Sequence, residues 1–322
     1  MSSGETGASK IKLYSVATAF TLSIGFSFYG IKMCVPYADT LTILAYRYAV
    51  ACIGVVIWRI AAGAMGVLPE RKPGRPKKML YMTAAFYLLF MIFQILAMFF
   101  ATSIEGALVY AMVPIFASVI GRIALGEKAT GLQTFFVVMT VCALLILIIL
   151  NATDIHLNVT GLLIMTVSSL FMACQNVSAR YVRGVFSPTE ISETIAVGGT
   201  VIFVGASLVR TAAKGSIGWL LEPLHHPDFV IWVSFLGIFC ILLSAQFMAY
   251  MLAHMELVQS TIFNSASTLV SIVAGVLLLG EPLEWYHYLC GILILAGVIG
   301  LSTAPAKAEN EGKSLGDDIS VK

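Results

Sequence analysis

Apolar residues run along the chain in stretches of about twenty, and most charged residues fall in the gaps between them. A helix rising 1.5 Å per residue needs about 20 residues to cross ~30 Å of hydrocarbon. Stretches of that length lie at 12–34, 40–62, 79–100, 105–125, 131–150, 159–182, 190–213, 228–253, 257–279 and 283–303. They predict an all-α polytopic membrane protein of ten transmembrane helices. The loops are too short for a soluble catalytic domain or a nucleic-acid module. The first run exceeds the apolar core of a cleaved signal peptide and no A-x-A site follows it, so it is read as a retained helix.

Composition agrees, with 59% of the 322 residues hydrophobic, 11% charged and a mean hydropathy of +0.93. Roughly 25% charged is usual for a soluble domain. With residues 1–11 placed in the cytoplasm, the inner side holds fifteen Lys and Arg, including Lys10, Lys12, Arg59 and the run from Arg71 to Lys78. The outer side holds three, Lys32, Arg210 and Lys214, and Arg47 lies within the second span. That positive-inside bias predicts a cell-membrane protein with both termini cytoplasmic.

The six cysteines fall inside apolar runs with no CxxC, and no HExxH occurs, so no metal site, disulfide or cofactor is expected. The sequons at Asn151 and Asn158 lie within a few residues of a span and are taken as chance matches.

The chain is duplicated. GALVYAMVPIFASVIGRIALGEKATGLQ from Gly106 matches STIFNSASTLVSIVAGVLLLGEPLEWYH from Ser260 at an offset of 154, bringing Gly126 onto Gly280 and Glu127 onto Glu281. KMCVPYADTLTI matches YVRGVFSPTEIS at 149, bringing Tyr37 onto Phe186. The organisation is therefore a cytoplasmic segment 1–11, a first five-helix repeat 12–150, a second repeat 159–303 and a disordered cytoplasmic tail 304–322. Five is odd, so the second repeat enters the membrane from the opposite side, and the repeats are inverted. Many secondary transporters obtain two alternative states in this way.

YRYAVACIGVVIW (Tyr46 to Trp58), the paired endings LGEK and LGEPL, and GILILAGVIGL from Gly291 resemble the ten-helix EamA-domain branch of the drug/metabolite transporter superfamily. The resemblance covers about 290 residues. It implies two EamA-like repeats and transport of small polar or amphipathic metabolites. The pattern departs at Thr268, which stands opposite Pro114 where a second proline is usual, so the bend expected of helix four lacks its cause in helix nine.

Polar side chains within the bilayer are costly and face a cavity or a partner by default. Arg47, Gln94, Tyr29 and Tyr110 lie about 7 to 10 Å below the outer helix ends, counting 1.5 Å per residue. Gln175, Asn176, Gln246 and Asn264 form a matching layer about 10 Å above the inner ends. Tyr110 aligns with Asn264 across the repeat, so these eight residues are the candidate substrate pathway. Ser260, Asn264, Ser267, Thr268, Ser271 and Gly275 make one stripe on helix nine. Close helix packing and cavity lining both explain it, and the asparagine among hydroxyls favours lining.

Arg47 suits either a substrate carboxylate or a set of carbonyls tying helices two and three together. Glu193 is too deep toward the inner side to reach it and is the candidate proton site. Glu105, Glu127, Glu256 and Glu281 sit at helix ends, where Glu127 and Glu281 follow Leu-Gly and can cap the next helix.

No carboxylate lies near the midplane, which disfavours tight proton coupling. The expected function is a secondary transporter of a small polar metabolite, an amino acid or related compound, working by alternating access with efflux as one direction. Quaternary amines, nucleosides and other drug-like solutes are the alternative cargo. A membrane enzyme lacks any nucleophile, base or metal constellation here, and no catalytic residue is assigned. A receptor leaves the inverted duplication unexplained, and no phosphate-binding loop points to ATP. The expected partners are a small-molecule substrate and membrane lipid, with a homodimer allowed and no nucleic acid.

Overall fold

The computed structural model describes residues 3–64, 77–125, 130–153, 159–182, 185–255 and 257–304. The Asn158 sequon, Glu127, Glu256, most of the Arg71–Lys78 run and the tail from residue 305 lie outside them. Among the described residues the fold is helical throughout. Ten helices are long and apolar enough to cross a membrane, and they are labelled in chain order. In the first half they are α1 Ile11–Cys34, α2 Thr40–Ala64, α3 Lys78–Ala97, α4 Ser103–Ile123 and α5 Gly131–Leu150. In the second half they are α6 Val159–Arg180, α7 Pro188–Lys214, α8 Pro227–Met251, α9 Gln259–Leu279 and α10 Trp285–Thr303. The sequence boundaries hold to within a few residues. Below, the near face is the end of the bundle at Ile11 and Thr303, and the far face is the end at Cys34 and Thr40.

Helix ends follow local chemistry. Ser187 begins α7 with a reciprocal cap, its Oγ accepting from Glu190 N at 3.2 Å while Glu190 Oε2 accepts from Ser187 N at 2.9 Å, and Pro188 takes the first turn where no N–H is needed. Thr102 and Glu105 repeat that cap at the start of α4. Gly280 ends α9 at φ +64°, a left-handed conformation that a side chain would strain.

Packing joins the two halves. α1 lies against α8 and α9, α6 against α3 and α4, α2 against α7, and α5 against α10. Exchanging each helix for its counterpart turns this set of contacts into itself, as duplicated halves should allow. Close approach needs small residues: a Cβ on Gly199 of α7 would come 2.2 Å from the buried Tyr48 ring of α2.

Two helices depart from regularity. α4 is in two pieces, Ser103–Tyr110 and Val113–Leu125, with a turn at 111–112. Pro114 has no N–H to offer the Tyr110 carbonyl, and the helix breaks there. α9 carries Thr268 instead and runs unbroken within Leu257–Leu279. In α8, residues Leu236–Leu243 form a wider π-helical stretch that closes with Ser244 N donating to Phe239 O.

Part of the small-residue stripe of α9 packs against α1, while Asn264 within it is half-buried. Ser271 Oγ donates to Gly25 O of α1 at 2.6 Å, and Thr21 Oγ1 donates to Phe263 O at 3.0 Å. Ser260, Ser267, Thr268 and Ser271 are all buried.

Candidate functional site

Arg47 sits on α2, about 10 Å from the far end of that helix at 1.5 Å per residue. It is 1% exposed, and its Nε and Nη1 are buried without a hydrogen-bond partner. Its charge reaches Cys34 of α1, Tyr48 of α2, Tyr87 of α3 and Cys240 of α8. Thiols and phenols cannot neutralise a guanidinium. An arginine near the middle of a membrane helix costs ~2.5–3.5 kcal/mol on insertion scales, and a charged group left unpaired adds more than ~1–3 kcal/mol.

Aromatic rings from three helices join Tyr87, whose phenol feels this charge, in one cluster. Tyr110 packs edge-on to Phe28 at 5.8 Å and tilts against Phe90 at 5.9 Å, and Phe90 meets Tyr87 at 5.6 Å. The Tyr87 hydroxyl points to Cys240 O at 3.5 Å, and the Cys240 thiol donates to Ser23 O at 3.1 Å. α1, α2, α3, α4 and α8 thus converge here, drawing on both repeats. The break in α4 falls directly after Tyr110, and Cys240 lies in the π-helical stretch of α8. Both irregular segments therefore lie against this cluster, where irregular backbone in a membrane protein can be satisfied by its surroundings.

The remaining pathway residues are placed as follows. Gln94 is 3% exposed, with a buried Oε1 that has no partner. Tyr29 packs edge-on against Trp232 of α8 at 4.7 Å. Gln246 accepts from Thr189 of α7 at 3.3 Å, and the Asn264 carbonyl accepts from Ser267 Oγ at 2.5 Å. Gln175 is buried and Asn176 half-buried on α6. Arg47 and Tyr110 therefore share one cluster. Tyr87, Phe90, Phe28 and Cys240 belong to it and were not singled out in the sequence. Tyr87, Phe90 and Gln94 recur at three- and four-residue steps on one face of α3, a signal that periodicity could have given.

Glu193 has a partner. Arg59 Nε and Nη2 donate to its two carboxylate oxygens, each at 2.9 Å. Glu281 also departs from expectation. Rather than capping the next helix, it reaches across the repeats to the start of α4, accepting from Ser103 N at 2.7 Å, Ser103 Oγ at 2.6 Å and Ile104 N at 3.1 Å. Free N–H groups and the positive end of the helix dipole both favour a carboxylate there.

At the far face, Asp39 begins α2 by accepting from Thr42 N at 3.0 Å and Thr42 Oγ1 at 2.6 Å. Arg210 of α7 donates to the same carboxylate and lies over the Trp219 ring at 4.4 Å. The Tyr46 hydroxyl donates to Leu220 O at 2.7 Å, and Tyr37 stacks on His226 at 4.4 Å. Together these contacts clasp the α7–α8 connection to the α1–α2 turn. Burial pushes the Asp39 carboxyl up, but the hydrogen bonds from Thr42 and Arg210 outweigh it and hold the group below the usual carboxylate range. A carboxyl depressed on folding contributes stability that is present above its unfolded value, near 3.9, and lost as pH falls through its lower folded value. The expected result is that the thermal midpoint of the parent falls more steeply than that of Asp39→Asn once pH drops below about 4. Parallel curves would show that this carboxylate adds nothing to the clasp.

Ten helices long and apolar enough to cross a membrane, in two halves that pack against each other, define a polytopic membrane protein. Residues 12–149 and 159–303 match the EamA-like transporter family, and the chain belongs to it. A Bacillus subtilis (strain 168) protein described as the uncharacterized transporter YcxC is 29% identical over 294 residues, covering 89% of this chain and 91% of that one. A solved crystal structure of a protein aligns with a TM-score of 0.59 at 15% identity, covering 91% of this chain and 97% of that one, and so supports the fold.

Proposed function

We propose that this chain is a secondary transporter that carries a small polar metabolite, an amino acid or related compound, across the cell membrane by alternating access. The observation that carries this reading is Arg47: a buried, unpartnered cation beside aromatic side chains at a point where helices of both repeats meet. The near face is taken as cytoplasmic, in keeping with the fifteen-to-three distribution of Lys and Arg. The proposed pathway runs from Arg47, Gln94, Tyr29 and Tyr110 toward Gln175, Asn176, Gln246 and Asn264, with α4 and α9 exchanging roles as gates.

Accessibility tests the cycle. Cysteines introduced beside Tyr110 and beside Asn264 are expected to label reciprocally, one from each face, as saturating substrate shifts the population of states. Simultaneous labelling of both sites from both faces would describe a channel and end this reading.

Glu193, held by Arg59, serves in this reading as a tie between α2 and α7. Glu193→Gln is expected to leave flux insensitive to an imposed pH gradient, as in the parent. Gradient-driven accumulation in the parent that disappears in Glu193→Gln would instead assign the proton site to this residue.

A further inference from the structure

We propose that the Arg47 site takes a solute of net charge −1, a carboxylate on a flat apolar skeleton, in preference to a zwitterion or cation of the same size. The proposal rests on the transporter reading, keeps its class of small polar metabolites, and sets amino acids behind monocarboxylates as the preferred cargo.

Arg47 is a full positive charge, buried, with Nε and Nη1 unpartnered. Of the described carboxylates in or next to the spans, Glu105 is bonded to Thr102, Glu190 to Ser187, Glu193 to Arg59, and Glu281 to Ser103 and Ile104, while Asp228 is exposed at the start of α8. Asp39 is held by Thr42 and Arg210. The Cys34 and Cys240 thiols and the Tyr48 and Tyr87 phenols are among the groups that feel the guanidinium charge, and none of them carries a compensating negative charge as the neutral thiol or phenol. The site therefore lacks one negative charge, and a charge-assisted hydrogen bond from guanidinium to carboxylate supplies it.

An α-ammonium lies within about 5 Å of its own carboxylate, and hence close to the guanidinium, where like charges repel in a medium that screens poorly. No carboxylate among those described is placed to receive it. A zwitterion brings no net charge to offset that of Arg47. The cluster of Phe28, Tyr87, Phe90 and Tyr110 instead offers ring faces and edges, which suit a planar apolar skeleton.

A matched series separates these chemistries: 3-phenylpropanoate, 3-phenylpropanamide, phenylalanine and 2-phenylethylamine. Binding to the purified full chain in lipid nanodiscs is measured by calorimetry, and flux is measured in proteoliposomes. The acid is expected to bind at least about tenfold more tightly than the amide, the zwitterion or the amine. Arg47→Gln is expected to bring the acid down to the level of the amide, and Arg47→Lys to keep part of the preference. If Arg47→Gln does not fold, the acid-to-amide ratio of the parent decides. A zwitterion or amide bound as tightly as the acid overturns the proposal, as does failure of all four to bind.

Flux keeps the two readings apart. Arg47-dependent binding of the acid without any flux would sink the transporter reading and leave the anion site standing. Phenylalanine flux unchanged by Arg47→Gln would do the reverse.

Discussion

Arg47→Gln in reconstituted protein is expected to lower transport at least about thirtyfold while the yield of folded protein stays at or above the parental level. Removing one partner of a buried charge pair costs ~2–5 kcal/mol of binding, and 1.4 kcal/mol is a factor of ten. Stability should move the other way. The substitution withdraws a charge whose Nε and Nη1 have no partner in the structure and whose placement costs ~2.5–3.5 kcal/mol on insertion scales. Size-exclusion recovery and thermal midpoint report folding, and initial flux rates report function. Equal loss of both would make Arg47 a tie between helices.

Glu281→Ala is expected to destabilise the protein by ~2–4 kcal/mol, because it strips a carboxylate from three donors at the start of α4 and leaves two backbone N–H groups unpaired. Glu281→Gln retains an acceptor oxygen without the charge and should fall between. Ser103→Ala removes a single hydroxyl donor and should cost only ~1 kcal/mol. The ordering Ala, Gln, parent in unfolding midpoint within nanodiscs is the observable. A loss under about 0.5 kcal/mol for Glu281→Ala would show the cap to be incidental.

The ten spans and the duplication were legible because both are properties of the chain alone: a fixed membrane thickness sets run length, and repeats align without coordinates. Pro114 announced the break in α4, and Thr268 its absence in α9. The π-helical stretch of α8 left no mark, since Leu236–Leu243 is apolar around its whole circumference and has no periodicity to disturb. Long-range pairing was the other blind spot. Depth counting placed Glu193 near the inner surface and correctly barred it from Arg47. Arg59 lies at almost the same depth, but it was counted only as a topology charge. The α9 stripe shows a related limit: three- and four-residue spacing reveals which residues share a face, whereas α1 decides what that face touches.

Pro114 also bears on energetics. The repeats align closely, yet α4 is hinged at residues 111–112 and α9 is a continuous rod. In a carrier of the proposed kind, the half-cycle that flexes α4 moves a joint already made, whereas the half-cycle that flexes α9 must strain intact hydrogen bonds. The two resting orientations then differ in free energy, and apparent affinity for the same solute differs between the two sides of the membrane. One orientation dominates the unliganded population, and Thr268→Pro, by giving α9 a matching joint, would bring the two closer to parity.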